Sequence, residues 1–248
     1  DDLVSDCRQR QLRAIDTLQR RIKPLHKEFG AMIASGLTER SIDLYVKKQL
    51  EKASPATVQC QMRYLNQAFR IAHRKRLVER IPHMPTIRVS NARQGFFEED
   101  EFERVVSFLP DHLKDLVRFG YYSGWRKREV MTLEWRDVQG DVIRLRPEVS
   151  KNKEGRLLAI VGMIAEIIDR RRQDRHDLIP YIFHRNGRPI KDFRKSWDNA
   201  CEAAGVPDRY FHDFRRTAVR NLTRAGVPEK IAMSITGHKT RAVFDRYN

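Results

Sequence analysis

One interruption constrains this chain more than any other feature: between residues 81 and 95 the helical periodicity that dominates the first eighty residues stops. Pro82 and Pro85 fall inside the stretch, and Arg88 and Arg93 belong to no apolar stripe, so it reads as a linker. A chain divided in this way folds as two bodies. The expected arrangement is a small helical domain over residues 1–85, a linker over 86–95 and a larger second domain over 96–248. At 248 residues the chain can bury a core in each without disulfides or metal.

In the first part, residues 5–29 alternate charges with spaced Leu and Ile, which predicts a helix broken at Pro24 and ended at Gly30. Thr38 is placed to cap a second helix carrying Ile42, Val46 and Leu50 at fourfold spacing. Ser54 caps a third, with Pro55 in its first turn and an apolar stripe of Val58, Met62, Leu65, Phe69 and Ala72. Away from these stripes the helices are basic, with Lys47 and Lys48 on the second and Arg63, Arg70, Arg74, Lys75 and Arg76 on or just after the third. The chain carries a net charge of +16, and residues 1–93 hold 19 Lys and Arg against 9 Asp and Glu. A basic excess alone is equally a solvated surface. Gathered on helix faces, and continued by Arg88 and Arg93, it predicts a surface that neutralises nucleic-acid phosphates.

In the second part, residues 98–109 and 113–122 read as amphipathic helices, Gly124 stops the second, and a short helix follows to Leu133. The period then changes to that of strands. Residues 135–138, 142–146 and 156–160 are β-like runs separated by Gly140 and the turn-rich stretch 152–155, which predicts a small antiparallel sheet. Helices resume at about 163–174, 191–204, 213–225 and 228–235, so the expected class is mainly α with a small antiparallel β-sheet, an α+β fold. Cys7, Cys60 and Cys201 are few, odd in number and lack a CxxC pair, which fits a reducing cytoplasm and buried thiols. Neither they nor His26, His73, His83, His112, His176 and His184 have ligand spacing, so no metal and no cofactor is expected. No apolar run approaches the ~20 residues a membrane span needs, and no signal-peptide pattern opens the chain, so a cytoplasmic protein is expected.

The chemistry concentrates around Tyr210-Phe-His-Asp-Phe-Arg-Arg-Thr-Ala. Phe211, Phe214, Ala218, Leu222 and Ala225 form the buried stripe of a helix closed by Gly226, which sets His212 and Arg215 together on the stripe's edge. A guanidinium can hold two phosphate oxygens while an imidazole hydrogen-bonds or moves a proton. In a chain this rich in Arg, such a pair alone arises readily by chance. It has company. Ser123-Gly-Trp-Arg126-Lys-Arg-Glu129 stands upstream, Gly237-His238 follows, and Tyr247 comes nine residues after His238.

Together these residues resemble the tyrosine recombinase, or phage integrase, family, whose boxes read Thr-Gly-x-Arg-x-x-Glu, His-x-x-Arg, and Gly-His with a Tyr nine residues on. All three occur here in order. Ser150-Lys151-Asn-Lys-Glu-Gly-Arg sits where the family keeps a hairpin Lys, and Ala53-Ser-Pro-Ala-Thr-Val before a helix resembles its core-binding domain, so the resemblance spans almost the whole chain. Ser123 stands for the usual Thr, Trp125 for a common Leu, and no Pro follows the hairpin near Ala159; none of these removes a reacting group. Family members usually continue past the tyrosine into a helix that docks on a neighbouring subunit. The expectation is therefore a catalytic domain over 96–248 lacking that tail.

The resemblance implies a site-specific recombinase that conserves phosphodiester energy in a 3'-phosphotyrosine on Tyr247. A phenol with a reference pKa of about 10 needs a base, and His212 takes that role. Arg126 and Arg215 would clamp the pentavalent phosphate, His238 would add a hydrogen bond to it, and Glu129 would orient the pocket. Lys151 would protonate the departing 5'-oxygen. Lys153 is its rival, and alternation along a hairpin would turn the two opposite ways. The implied partners are double-stranded DNA carrying core sites, a tetramer of this chain on that DNA, and accessory DNA-bending or excision factors of a mobile element. Read one at a time, Arg126 and Glu129 are an ordinary helix-surface pair, the two lysines turn residues, His238 a helix cap and Tyr247 a half-buried aromatic. A type IB topoisomerase shares the residue set, and a non-catalytic DNA-binding relative would share the fold; strand exchange between defined sites distinguishes all three.

Overall fold

The computed structural model describes residues 2–11, 15–89, 95–150 and 153–245, and divides into two compact units, Asp1–Ala92 and Arg93–Asn248. The first unit is built from α1 (Asp2–Gln9), α2 (Ile15–Phe29), α3 (Glu39–Leu50) and α4 (Pro55–Arg74). Capping fixes where two of these begin. The Thr38 hydroxyl accepts from the Ser41 N–H and the Ser54 hydroxyl from the Thr57 N–H, each at 3.3 Å, and Pro55 occupies the first turn of α4. One face of α4 puts Val58, Met62 and Phe69 against Leu25, Ile42, Tyr45 and Val46. Another side of the same helix, through Ile71, Tyr64 and Ala68, meets Leu3, Cys7 and Leu18.

Three details differ from the sequence reading. The helix expected over 5–29 is two helices, and α2 runs straight through Pro24 while α1 ends before Gln11, a non-glycine residue at φ 51°. Proline removes one backbone hydrogen bond. Here Leu18, Ile22 and Leu25 pack on both sides of it, and that burial outweighs the loss. Leu50 is exposed, because each step of four residues turns a helix 40° past a full circle, and the third member of a fourfold series leaves the buried face. Tyr45, fully buried, fills the place. Finally, residues 81–89 lack regular structure, yet Met84 and Ile87 pack on the first unit's core, with the Ile87 N–H donating to the Gln59 side chain at 2.6 Å.

The second unit contains α5 (Glu99–Ser107), α6 (Asp111–Ser123), α7 (Lys127–Met131), β1 (Val138–Gln139), β2 (Val142–Leu145), β3 (Arg156–Ala159), α8 (Met163–Gln173), β4 (His184–Arg185), β5 (Arg188–Pro189), α9 (Arg194–Ala203), α10 (Asp213–Arg224), α11 (Glu229–Thr236) and α12 (Arg241–Phe244). Its centre is aromatic. Phe102 and Tyr121 stack at 3.8 Å, and Phe97, Trp197, Phe211 and Phe214 close around them edge to face. Burying each such ring contributes about 1.5–3 kcal/mol, and the cluster locks α6 against α10. The sheet runs β1-β2-β3, antiparallel throughout, with Ile143 opposite Leu158 and both turned inward. The fold is therefore mainly helical with small antiparallel sheets.

Two strand expectations need correcting. Residues 135–137 form a 3-10 turn, because the Asp137 carboxylate accepts from the Glu134 N–H at 2.9 Å and closes it, leaving β1 only two residues long. The β4–β5 hairpin was not foreseen. Its turn is Asn186-Gly187, both at positive φ, the dipeptide that a two-residue hairpin loop favours, but the flanking strands are too short to show alternation. All three cysteines are buried free thiols. Among the described residues no helix is long and apolar enough to cross a membrane.

Candidate active site

Two glycine caps build the centre of the site. Gly124 ends α6 and Gly237 ends α11, each in the left-handed conformation, at φ 64° and 71°. Arg215, on the first turn of α10, is buried between them. Its guanidinium donates to the Gly124 carbonyl at 3.3 Å and to the Gly237 carbonyl at 3.0 Å, while its Nε donates to His238 Nε2 at 3.2 Å. The carbonyl ends of two helices thus converge on one cation, the favourable sense of the helix dipole.

His238 is held from its other side by Thr236. Because Arg215 can only donate, Nε2 must be bare and the ring proton sits on Nδ1, from which it is given to Thr236 Oγ1 at 2.8 Å. The Thr236 hydroxyl passes its own proton to the Ala232 carbonyl at 2.7 Å. Burial, then the charges of Arg215, Arg126, Arg156 and His212, push the His238 pKa down to about 3, so the ring is neutral at neutral pH. Its Nε2 accepts from Arg215 and so orients it.

The sign of the resulting pH dependence follows. Unfolded, His238 titrates near about 6.5; folded, it resists protonation until about pH 3. Its contribution to stability is complete above about pH 6.5 and is lost as pH falls between these values. Urea titrations should show the wild type losing up to about 1.4 kcal/mol more per pH unit than His238→Gln over that window. Parallel curves would remove the neutral buried imidazole from the account.

Arg126 caps the start of α7 and is partly exposed. Its guanidinium donates to Glu129 Oε1 at 2.7 Å and its backbone N–H to Oε2 at 2.9 Å. This is the helix-end ion pair that its spacing allows, but Glu129 is buried at 1% exposure and takes a second guanidinium, that of Arg156 on β3. Burial alone would raise the Glu129 pKa. The Arg156 charge, followed by the hydrogen bonds and charge of Arg126, outweighs it and holds the carboxyl below its ordinary range. Trp125 floors the arrangement, its ring 4.9 Å from the Arg156 guanidinium and its indole N–H donating to the Ile235 carbonyl at 3.1 Å. The Ser123 hydroxyl accepts from the Trp125 N–H at 3.2 Å, so Ser serves where a Thr is usual. A cleft of about 640 Å³ opens beside Arg156 and His238, lined also by Ser150, Gly155, Met233 and Gly237.

The expected site residues fare differently. Arg126, Glu129, Arg215 and His238 come together. His212 stands at the start of α10 with its carbonyl accepting from the Arg215 N–H at 3.2 Å; it is exposed while Arg215 is buried, and its charge reaches His238. Lys151 and Tyr247 lie outside the described residues. Lys153 is exposed in a bend at φ 56°, so strand alternation does not govern where it faces. Phe244, three residues before Tyr247, is buried with its ring 5.8 Å from that of His238. Arg156 and Thr236 were missed. Arg156 is 27 residues from Glu129 and no short spacing could announce it.

In the first unit, Lys47, Lys48, Arg63, Arg70, Arg74, Lys75, Arg76 and Arg88 are all exposed. Arg63, Arg70 and Arg74 share a face of α4. Arg74 and Lys75 turn toward Asp6 and Asp2 of α1, at 3.7 and 2.7 Å, and Lys48 toward Glu28 at 2.9 Å. Such exposed pairs hold weakly enough to be exchanged for phosphate. Arg93 lies outside the described residues.

Comparison with known proteins agrees with this geometry. The integrase of Salmonella phage P22 is 24% identical over 209 residues, which cover 79% of this chain and 54% of that protein. A XerC-like tyrosine recombinase of Caldanaerobacter subterraneus subsp. tengcongensis is 24% identical over 203 residues, 66% of this chain and 52% of the relative. The chain thus spans about half the length of the curated relatives it matches. Among solved structures, a lambda integrase tetramer bound to a Holliday junction superposes with a TM-score of 0.81 over 97% of this chain and 76% of that one, at 15% identity, a likeness of fold. The model of the phage integrase family matches residues 95–248, which include every residue of the cleft just described, and the chain belongs to that family.

Proposed function

We propose that this chain cuts and rejoins DNA at specific sites, through a covalent bond between Tyr247 and a 3'-phosphate. One observation carries the reading: a buried Arg215 is bonded to a neutral His238 that feels the charge of Arg126 and lines a cleft, next to the segment that leads into the only tyrosine after Tyr210 in the sequence. The phenol oxygen attacks the scissile phosphorus, the bond to the 5'-oxygen breaks, and Lys151 or Lys153 returns a proton to that oxygen. His212, exposed and able to approach a substrate, takes the phenolic proton. Arg126 and Arg215 stabilise the charge that accumulates on the non-bridging oxygens. Rejoining reverses these steps and needs no outside energy. Four copies act on two paired core sites, in the manner of the tetrameric lambda integrase complex, to move a mobile element.

A nicked duplex containing a site selected for binding tests the proposal. The nick lets the cleaved end diffuse away and traps the adduct. Protein linked to a 3'-phosphate, together with strand exchange between two such sites, is the expected result. Relaxation of supercoils without exchange would favour a topoisomerase, and binding without adduct a non-catalytic protein.

The basic residues of the first unit contribute affinity without chemistry. With six or more phosphates neutralised by that surface, duplex binding should weaken by about 10³ or more between about 50 and about 200 mM salt. A flat response in a fluorescence titration would deny them the role.

A further inference from the structure

We propose that Arg156 is a positioning residue of the DNA-cleaving site: by sharing Glu129 with Arg126, it leaves the Arg126 charge available to the scissile phosphate. The inference rests on the functional reading above and deepens it. Arg126 and Glu129 by themselves would make a neutral pair, because the carboxylate is buried, both its oxygens face the α7 start, and the guanidinium beside it is fully matched. A matched pair attracts phosphate poorly. The Arg156 guanidinium on Oε2 makes the cluster two cations on one anion, with an excess positive charge at the cleft wall.

Several observations separate this role from plain packing. The Arg156 side chain is 9% exposed, and burial pulls its pKa down while Glu129 pushes it back up, so the guanidinium is held in place at a desolvation cost. Its Nε is buried and makes no hydrogen bond among the described residues, which a side chain selected only for stability would avoid. It sits over the Trp125 ring, 4.9 Å from its centre, and a Cβ at Gly237 would collide with it, so glycine there keeps the space open. Arg156 also begins β3 directly after the loop that contains Lys151 and Lys153, so its ion pair ties the base of that hairpin to the Arg126 helix.

The test is single-turnover cleavage of the nicked duplex by the wild type, Arg156→Met, Arg156→Lys and the double variant Arg156→Met/Glu129→Gln, with duplex affinity measured in parallel. Met keeps the contact with Trp125 and removes the charge; Glu129 then pairs with Arg126 alone. Cleavage by Arg156→Met should fall about 10- to 100-fold with affinity unchanged, and Arg156→Lys should recover most of it. The distinguishing result is the double variant. Removing the carboxylate frees Arg126 again, so it should cleave about tenfold faster than Arg156→Met, an interaction of opposite sign to the additive loss that packing damage would give. A double variant as slow as Arg156→Met or slower, or an Arg156→Met that cleaves like wild type, overturns the proposal. A wild-type chain that forms no adduct overturns the functional reading itself, and this inference with it.

Discussion

Tyr247→Phe should form no covalent complex on the nicked duplex, a loss of at least about 10⁴-fold in the cleavage step, while binding the same DNA as tightly as the wild type. The substitution removes one oxygen. The anchor of this segment is Phe244, which is buried against Val219 and Ala232 and is untouched by the change. If the basic residues of the first unit carry binding, as proposed, affinity and cleavage should separate completely. If the variant still makes an adduct, the nucleophile is another hydroxyl, and Tyr210, exposed two residues before His212, is the first to try.

The second large effect distinguishes the two arginines. Both Arg126→Ala and Arg215→Ala should slow cleavage by about 10² to 10³ or more, the scale of removing a group that meets charge only as it develops. Their stability costs should differ. Arg126 is partly exposed, and without it Glu129 keeps the Arg156 guanidinium, so the variant should remain well folded. Removing Arg215 takes a donor from the buried Gly124 carbonyl, the half-buried Gly237 carbonyl and His238 Nε2, and each buried group left unsatisfied costs about 1–3 kcal/mol. Thermal unfolding beside the cleavage assay checks the pair. Equal destabilisation by both substitutions, or equal loss of DNA affinity and cleavage rate, would contradict the assigned division.

The sequence was legible where one local rule acted alone. Ser54 with Pro55, and Thr38, mark helix starts because capping involves residues three apart, and the stripe from Val58 to Phe69 is buried because one partner face covers it. Where two rules competed, the local one lost: Pro24 yields to the packing of its neighbours, and Trp135 to the Asp137 cap that bends the chain before a strand can begin. Motif spacing found Arg126, Glu129, Arg215 and His238, since each box is short and carried by one helix end. It could not separate a buried Arg215 from an exposed His212, because that difference is made by α6 and α11 closing over one and not the other. Arg156 was illegible for a related reason. Its partner is brought to it by the sheet, over a span in which no periodicity survives.

The Arg215 cation is fastened by main-chain oxygens from two helix ends and by the His238 imidazole. Peptide oxygens belong to the chain rather than to any side chain, so a substitution beside them leaves the anchorage in place. What cannot drift is the path of the chain at Gly124 and Gly237, where a bulkier residue would have to adopt a backbone angle it resists. The hold on Arg215 therefore depends on two residues that have no side chain at all.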